Sequence, residues 1–363
     1  MARSLKDPIG GKLEAFHGSA GHSLADIGLL RLHEILVSIP SVTGDENAIA
    51  MFLKDLLTHD FQVKLQQVPD LEHVSDEPSL RRPRFNVFAH PHGHRQTPLL
   101  LTSHIDTVPP YLPYSLRNHD EIWGRGSVDA KGCVAAQLQA YQQLVDSGQM
   151  DAKAVSFLFV VGEERTGDGM QAANQLGLSW DTVIFGEPTE LKLASGHKGL
   201  LILKIKAHGK AAHSGYPELG ESAIDSTYLY FHRKIGRLSA GVAANVIAKE
   251  AEADIGIRIA AGNSATMQKT VHDIVHQVDQ RLEVEFVGGT YGPVNIDHDV
   301  PGFETVTVNY GTDIPNLNGD HKRYLYGGGS ILVAHSDDEH IRIQDLRDAV
   351  DGYQRLILYA LEG

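Results

Sequence analysis

The stretch Val155-Ser-Phe-Leu-Phe-Val-Val-Gly-Glu-Glu-Arg-Thr-Gly-Asp168 places two adjacent glutamates, Glu163 and Glu164, at the end of an apolar run that reads as a buried strand. Carboxylates resist leaving water, and neighbouring like charges repel. Taken alone, the pair reads as a solvated turn, because Arg165, Thr166, Gly167 and Asp168 follow it. The surrounding chain changes that reading. Each further buried-looking strand also runs into potential ligands. Leu99–Ser103 leads to His104-Ile-Asp106, Thr182–Phe185 to Gly186-Glu187, and Ile331–Ala334 to His335. Asp129 stands in Gly124-Arg-Gly-Ser-Val-Asp-Ala-Lys-Gly132, just ahead of a helical pattern.

Strands alternate with helices through this part of the chain. Leu29–Ile39 and Glu46–Leu57 read as helices. In Ala130–Asp146, Val134, Leu138, Tyr141 and Val145 keep helical spacing, and Gly148 offers a stop. That alternation predicts an α/β fold with a mainly parallel sheet. In open sheets of this kind, sites collect at the carboxyl ends of the strands. Five segments therefore deliver two histidines and several carboxylates toward one edge. So many carboxylates need divalent metal to neutralise them, and mixed histidine and carboxylate donors suit zinc, with cobalt or manganese as alternatives.

The pattern changes near residue 197. Leu201, Leu203 and Ile205 alternate with residues of a wetter face, and a helix is expected at about 218–236. Strand-like segments follow at Ala243–Ala248 and Ala253–Ile259, then a helix over Met267–Leu282 and a strand over Glu283–Val287. This β-α-β-β-α-β order predicts a ferredoxin-like (α+β) domain. It spans residues 197–295 and is inserted into an α/β domain of 28–196 and 296–363, with a helix from Ile343 to Leu361 closing the chain. Residues 1–27 are expected to be poorly ordered.

The 363 residues are 42% hydrophobic and 21% charged, which fits a soluble protein of about two domains. A net charge of −14 without a long basic run argues against nucleic-acid and anionic-membrane partners. The single cysteine, Cys133, rules out an internal disulfide and a cysteine-based zinc cluster; it reads as a packed thiol. The opening residues lack the apolar core of a signal peptide, and no Asn-x-Ser/Thr sequon occurs, so a cytoplasmic setting is expected. His90-Pro-His-Gly-His94 is the densest histidine cluster, but with no acidic neighbours it reads as a solvated hairpin loop. Neither a Gly-x-Ser-x-Gly elbow nor a Walker-type loop is present, which removes serine-hydrolase and NTPase readings.

The motifs HIDTVP, GRGSVDAKG, GEERTGDG, GEPT and AHSDDE, in this order and spacing, resemble those of the M20 metallopeptidase family, whose members include acetylornithine deacetylases, succinyl-diaminopimelate desuccinylases and glutamate carboxypeptidases. LLTSHIDTVPP and FVVGEE are most similar to a fungal carboxypeptidase subgroup. The resemblance runs from about residue 28 to the end. It implies two zinc ions bridged by Asp129, with His104 and Glu187 completing one site and Glu164 and His335 the other. It further implies Asp106 orienting His104, Glu163 as general base, and a cis peptide at Asp129–Ala130. Gly209-Lys-Ala-Ala-His213-Ser-Gly-Tyr-Pro217 resembles the family's lid motif, which implies that His213 stabilises the oxyanion. Asn245 and Arg258 match the family's substrate contacts, although Ala248 stands where proline commonly follows. A homodimer through the inserted domain is implied as well. The expected reaction is hydrolysis of an amide next to a free α-carboxylate in a small-molecule substrate, an N-acyl amino acid or short peptide. Glu187, where family aminopeptidases carry aspartate, points to a deacylase or a carboxypeptidase, and the sequence leaves that choice open. The alternative is a catalytically inactive metal-binding or scaffold relative, against which Glu163 argues.

Overall fold

The structure, a computed structural model, describes residues 23–69, 82–231 and 235–362. Two compact units emerge: residues 1–193, 300–303 and 317–363 in the first, 194–299 and 304–316 in the second. The second unit thus takes in the segment 304–316 besides the span expected for an inserted domain. Most of the segment expected to be poorly ordered, 1–22, lies outside the described residues. Residues 23–27 do not fit that expectation, because Leu24 and Ile27 are buried around a short 3-10 turn.

The first unit begins with helices α1 (Leu29–Ser38) and α2 (Asn47–Leu57), then strands β1 (Gln62–Val68), β2 (Arg84–His90) and β3 (Leu99–His104). Short strands β4 (Ser115–Arg117) and β5 (Glu121–Trp123) precede helix α3 (Lys131–Asp146), strand β6 (Val155–Val160), helix α4 (Asp168–Ala173) and strand β7 (Thr182–Gly186). Every residue of β3, β6 and β7 is buried, as expected of strands covered on both faces. Helix α3 buries Val134, Leu138 and Tyr141 along one stripe. It ends at Gly148, whose φ of 70° lets the chain turn back, with the Gly148 and Gln149 amides donating to the carbonyls of Val145 and Leu144. Between α3 and the sheet, Phe61, Tyr141 and Phe157 pack with ring centroids 5.2–5.4 Å apart.

The second unit holds strands β8 (Leu193–His197), β9 (Gly199–His208) and β10 (Ile235–Ala240), helix α5 (Ala223–Phe231) lying between β9 and β10 in the chain, then β11 (Glu250–Ile259), helix α6 (Ser264–Val278), β12 (Glu283–Tyr291), β13 (Val294–Asn295) and β14 (Thr305–Val308). Its main sheet has the order β10-β11-β9-β12 and is antiparallel throughout. Leu201, Leu203, Ile205 and Ala207 of β9 are buried while the residues between them are half-exposed, so one face packs on Ala223, Val271 and Val275 of the helices. The helix expected at 218–236 is shorter, with a separate 3-10 turn at Pro217–Leu219 and a strand already begun at Ile235. Ala243–Ala248 is a loop rather than a strand. The strand is Ile235–Ala240, an exposed edge whose polar residues hide it from apolar patterning.

The chain closes in the first unit with β15 (Lys322–Tyr326), β16 (His340–Arg342) and helix α7 (Ile343–Glu362), which packs on α3. The central sheet has the order β1-β2-β6-β3-β7-β15. Strands β6, β3, β7 and β15 are mutually parallel, and β2 runs against its neighbours β1 and β6. This is the mixed α/β fold with a mostly parallel sheet that the strand–helix alternation predicts. Ile331–Ala334 is not its last strand. Those residues form turns, and Tyr324–Tyr326 take the sheet position. Nor is His90–His94 a hairpin, because β2 pairs with β1 and β6, and β3 with β6 and β7. Among the described residues no helix is long and apolar enough to cross a membrane.

Candidate metal centre

Parallel register is what gathers the candidate ligands. His104 sits beside Val160 and Ser103 beside Gly186, so His104, Glu163, Glu164 and Glu187 all leave the sheet at one edge. Asp129 enters from the loop ahead of α3. His335 enters from a turn-rich loop beyond β15, with a left-handed φ of 64°.

Asp129 lies between the two histidines. Its Oδ1 is 3.1 Å from His104 Nε2 and its Oδ2 is 3.1 Å from His335 Nε2. Glu187 Oε1 stands 3.7 Å from His104 Nε2, and Glu164 Oε2 stands 3.0 Å from His335 Nε2. Donor atoms of His104, Glu163 and Glu187 lie within 4.8 Å of one another, as do those of His104, Asp129 and Glu164. The peptide bond between Asp129 and Ala130 is cis. Side chains of His104, Asp129, Glu164 and Glu187 are at most 8% exposed, whereas that of His335 is 52% exposed and faces solvent.

His104 is oriented by its other ring nitrogen. Nδ1–H donates to the main-chain carbonyl of Asp106 at 3.0 Å, leaving Nε2 for the cluster, and the Asp106 carboxylate stands 3.5 Å from Nδ1. That carboxylate also accepts the amides of Glu163 (3.1 Å) and Glu164 (3.2 Å) and the Thr43 hydroxyl (2.8 Å). Asp106 thus shapes the turn of the two glutamates as well as facing the histidine. Glu163 and Glu164 occupy a turn.

The protonation pattern matches a cation site. Burial would lower the His104 pKa, but the charge of Glu187 and hydrogen bonds with Asp106 and Asp129 hold it well above the ordinary value. Hydrogen bonds to Asp129 and Glu164 push His335 up to about 10. Burial and then the charge of Asp129 push Glu164 up to about 7. Against its own burial, Asp129 is held below the usual carboxylate range by its two histidines. The cluster therefore retains protons where divalent cations would take their place, and its imidazole and carboxylate donors fit such ions.

A second layer was not legible as functional in the sequence. Arg84, 1% exposed on β2, donates from Nε to Glu46 Oε2 at 3.0 Å and from its terminal nitrogens to Glu46 Oε1 at 3.0 Å and Asp168 Oδ2 at 2.6 Å. Gly162, at φ 78°, passes beneath this group. A β-carbon there would run into the Asp168 carboxylate and the Arg84 guanidinium. The network anchors the Asp168 end of the turn carrying Glu163 and Glu164. Its only sequence signal is Asp168, inside the GEERTGDG motif.

In the second unit, His213 and Asn245 lie on paired loops. His213 bridges to Val246, and the Ser214 amide donates to the Asn245 carbonyl at 3.0 Å. Both side chains are exposed. Arg258 is exposed on β11 beside Tyr291 and Gly311. Cys133 is buried, and burial pushes its thiol up to about 12, as suits a packing residue.

Residues 100–359 match the profile of peptidase family M20/M25/M40. A protein of Aspergillus fumigatus named "Probable carboxypeptidase" is 42% identical over 393 residues, covering 92% of this chain and 87% of that one. A di-peptidase of Saccharomyces cerevisiae shares the fold with a TM-score of 0.74 at 15% identity, over 100% of both chains. So does a dinuclear metal-binding M20 peptidase of Bacillus subtilis, with a TM-score of 0.62 at 16% identity over 92% of this chain and 98% of that one. A family match over most of the chain and a relative of such identity and coverage lead to one conclusion: the chain belongs to peptidase family M20/M25/M40 and is a hydrolase of the metallopeptidase kind.

Proposed function

We propose that the protein is a two-metal carboxypeptidase that hydrolyses the last amide of a short peptide, next to a free α-carboxylate. The observation that carries this reading is Asp129, whose two carboxylate oxygens each face a different histidine at 3.1 Å. In this reading His104, Asp129 and Glu187 would hold one ion, and Asp129, Glu164 and His335 the other, with zinc the best match to the donors and cobalt or manganese as substitutes. Such a pair supplies Lewis-acid polarisation of the scissile carbonyl and acidifies a water. Glu163, on the same turn as Glu164 and within reach of His104 and Glu187, would accept a proton from the attacking water and pass it to the leaving nitrogen. Asp106 keeps Nε2 of His104 turned into the cluster and holds the Glu163 and Glu164 amides in place. The name carried by the fungal relative favours a carboxypeptidase over a deacylase.

The test is turnover of a panel of N-blocked dipeptides, their C-terminal amides, and N-acetyl amino acids. The proposal expects cleavage of the free acids, loss with a chelator and recovery with zinc or cobalt. Equal cleavage of the amides, or turnover of N-acetyl amino acids alone, would overturn it. On the family resemblance we also assign His213, Asn245 and Arg258 to substrate binding. Replacing each by alanine should raise KM or lower kcat while metal content holds. Self-association through the second unit is proposed at a free edge of its sheet, β10 or β12. A single-chain mass in light scattering at working concentration would refute it.

A further inference from the structure

Glu339 is a carboxylate only 1% exposed, yet it stands in none of the roles described so far. Burying a carboxylate is costly unless it is both paired and hydrogen-bonded. Its surroundings show what it is paired with. Oε1 accepts the Gly126 amide at 2.8 Å and draws the amides of Asp129 (3.4 Å) and Val128 (3.5 Å) toward the same point. Such converging N–H groups form an anion-binding nest, and here the chain's own carboxylate fills it. The nest depends on Gly126, at φ 84°, where a β-carbon would collide with Lys131 and the Thr107 methyl. Oε2 accepts Arg125 Nη1 at 2.5 Å.

Arg125, also 1% exposed, extends the connection. The same Nη1 donates to the Ser336 carbonyl at 3.1 Å, one residue past His335, and Nε donates to the Pro110 carbonyl at 3.2 Å, on the segment that follows His104 and Asp106. In the other direction, the Gly124 amide donates to the Glu339 carbonyl at 3.2 Å. One ion pair thereby ties together the segments that carry His104, Asp129 and His335. We infer that Glu339 is a positioning residue for the metal centre: with Arg125 it sets the loop geometry that aims the Asp129 carboxylate at both histidines. This rests on the reading above that these residues hold metal.

The test is competition for zinc between a chromophoric chelator and the metal-stripped protein, for wild type, Glu339→Gln and Arg125→Lys, with cooperative unfolding of each followed by circular dichroism. Glutamine at 339 must point its NH₂ at either the amide nest or the guanidinium, so one contact becomes donor against donor. Its zinc affinity is expected to fall about 10- to 100-fold in the folded protein, the usual effect of losing a group that orients a ligand. Arg125→Lys keeps the charge beside Glu339 but loses the fork that reaches Ser336 and Pro110, and a smaller loss of affinity is expected. An ion pair serving only to hold the fold would lower stability and leave zinc affinity unchanged; that result would overturn the inference. If Glu339→Gln does not fold, Arg125→Lys decides, and an affinity equal to wild type overturns it. A wild type that binds no zinc would instead refute the metal-centre reading itself.

Discussion

The second unit's four-stranded sheet keeps its charges in water, whereas the first unit buries a set of charges on its six-stranded sheet and in the loops beside it. On β9, Lys204 and Lys206 stand on the open face, paired with Glu252 and Glu285 at 2.8 Å. In the first unit, Glu46, Arg84, His104, Asp106, Arg125, Asp129 and Glu339 are each at most 5% exposed. Water solvates the first kind of pair and screens it, so either partner is replaceable. Charges of the second kind are held by one another and by buried amides and carbonyls, and removing one of a pair leaves its partner stranded. Such an arrangement marks the first unit's sheet edge, not the second unit's open face, as the place where geometry is held for chemistry.

The sharpest way to break this contrast is at the site itself. Glu163→Gln keeps shape and removes basicity, so turnover is expected to fall by about 10²- to 10⁴-fold while metal analysis gives wild-type content. A variant that loses metal in proportion to activity would reassign Glu163 as a ligand.

Arg84→Met comes next. It strands the buried Glu46 carboxylate and removes the partner of Asp168. Chemical denaturation should show a loss of about 3–5 kcal/mol. A loss no larger than that of a surface pair would mean that burial does not separate the two regions.

A buried histidine sharpens the comparison through pH. His33 donates from Nε2 to the Ser127 carbonyl at 2.8 Å, and its buried Nδ1 has no partner among the described residues. Burial lowers its pKa to about 4. Because the folded state resists charging this ring, its contribution is intact above the ordinary value near 6.5 and is lost as the pH falls toward 4. The loss comes to about 3 kcal/mol at the acid end. His33→Gln keeps a donor but does not titrate, so stability measured from pH 7 to 4 should fall less steeply than in wild type. Equal slopes would remove His33 as the source.

The smallest effect belongs to the second unit. Lys204→Ala breaks the half-exposed pair with Glu252 and should cost no more than about 1 kcal/mol, read by the same denaturation. A cost matching that of Arg84→Met would erase the contrast.

What the sequence by itself determined is local. The strand-to-loop transitions at His104, Glu164 and Glu187, the helical stripe of α3, the turn glycines and the β-α-β-β-α-β order of the second unit all follow from residues near one another in the chain. The five motifs place all the candidate ligands, because each ligand sits within a few residues of the element that carries it. Where a strand lacked an apolar signal, as at Ile235–Ala240, or an apolar run met a left-handed turn, as at Ile331–His335, patterning chose the wrong segment. Only the tertiary structure decided the sheet order and the partners of the buried charges. Arg84 meets Asp168 across 84 residues, and Gly126 meets Glu339 across 213. A carboxylate's surroundings after folding decide whether it is a solvated surface group or a buried acceptor of main-chain amides, and no local pattern encodes which distant amides will converge on it.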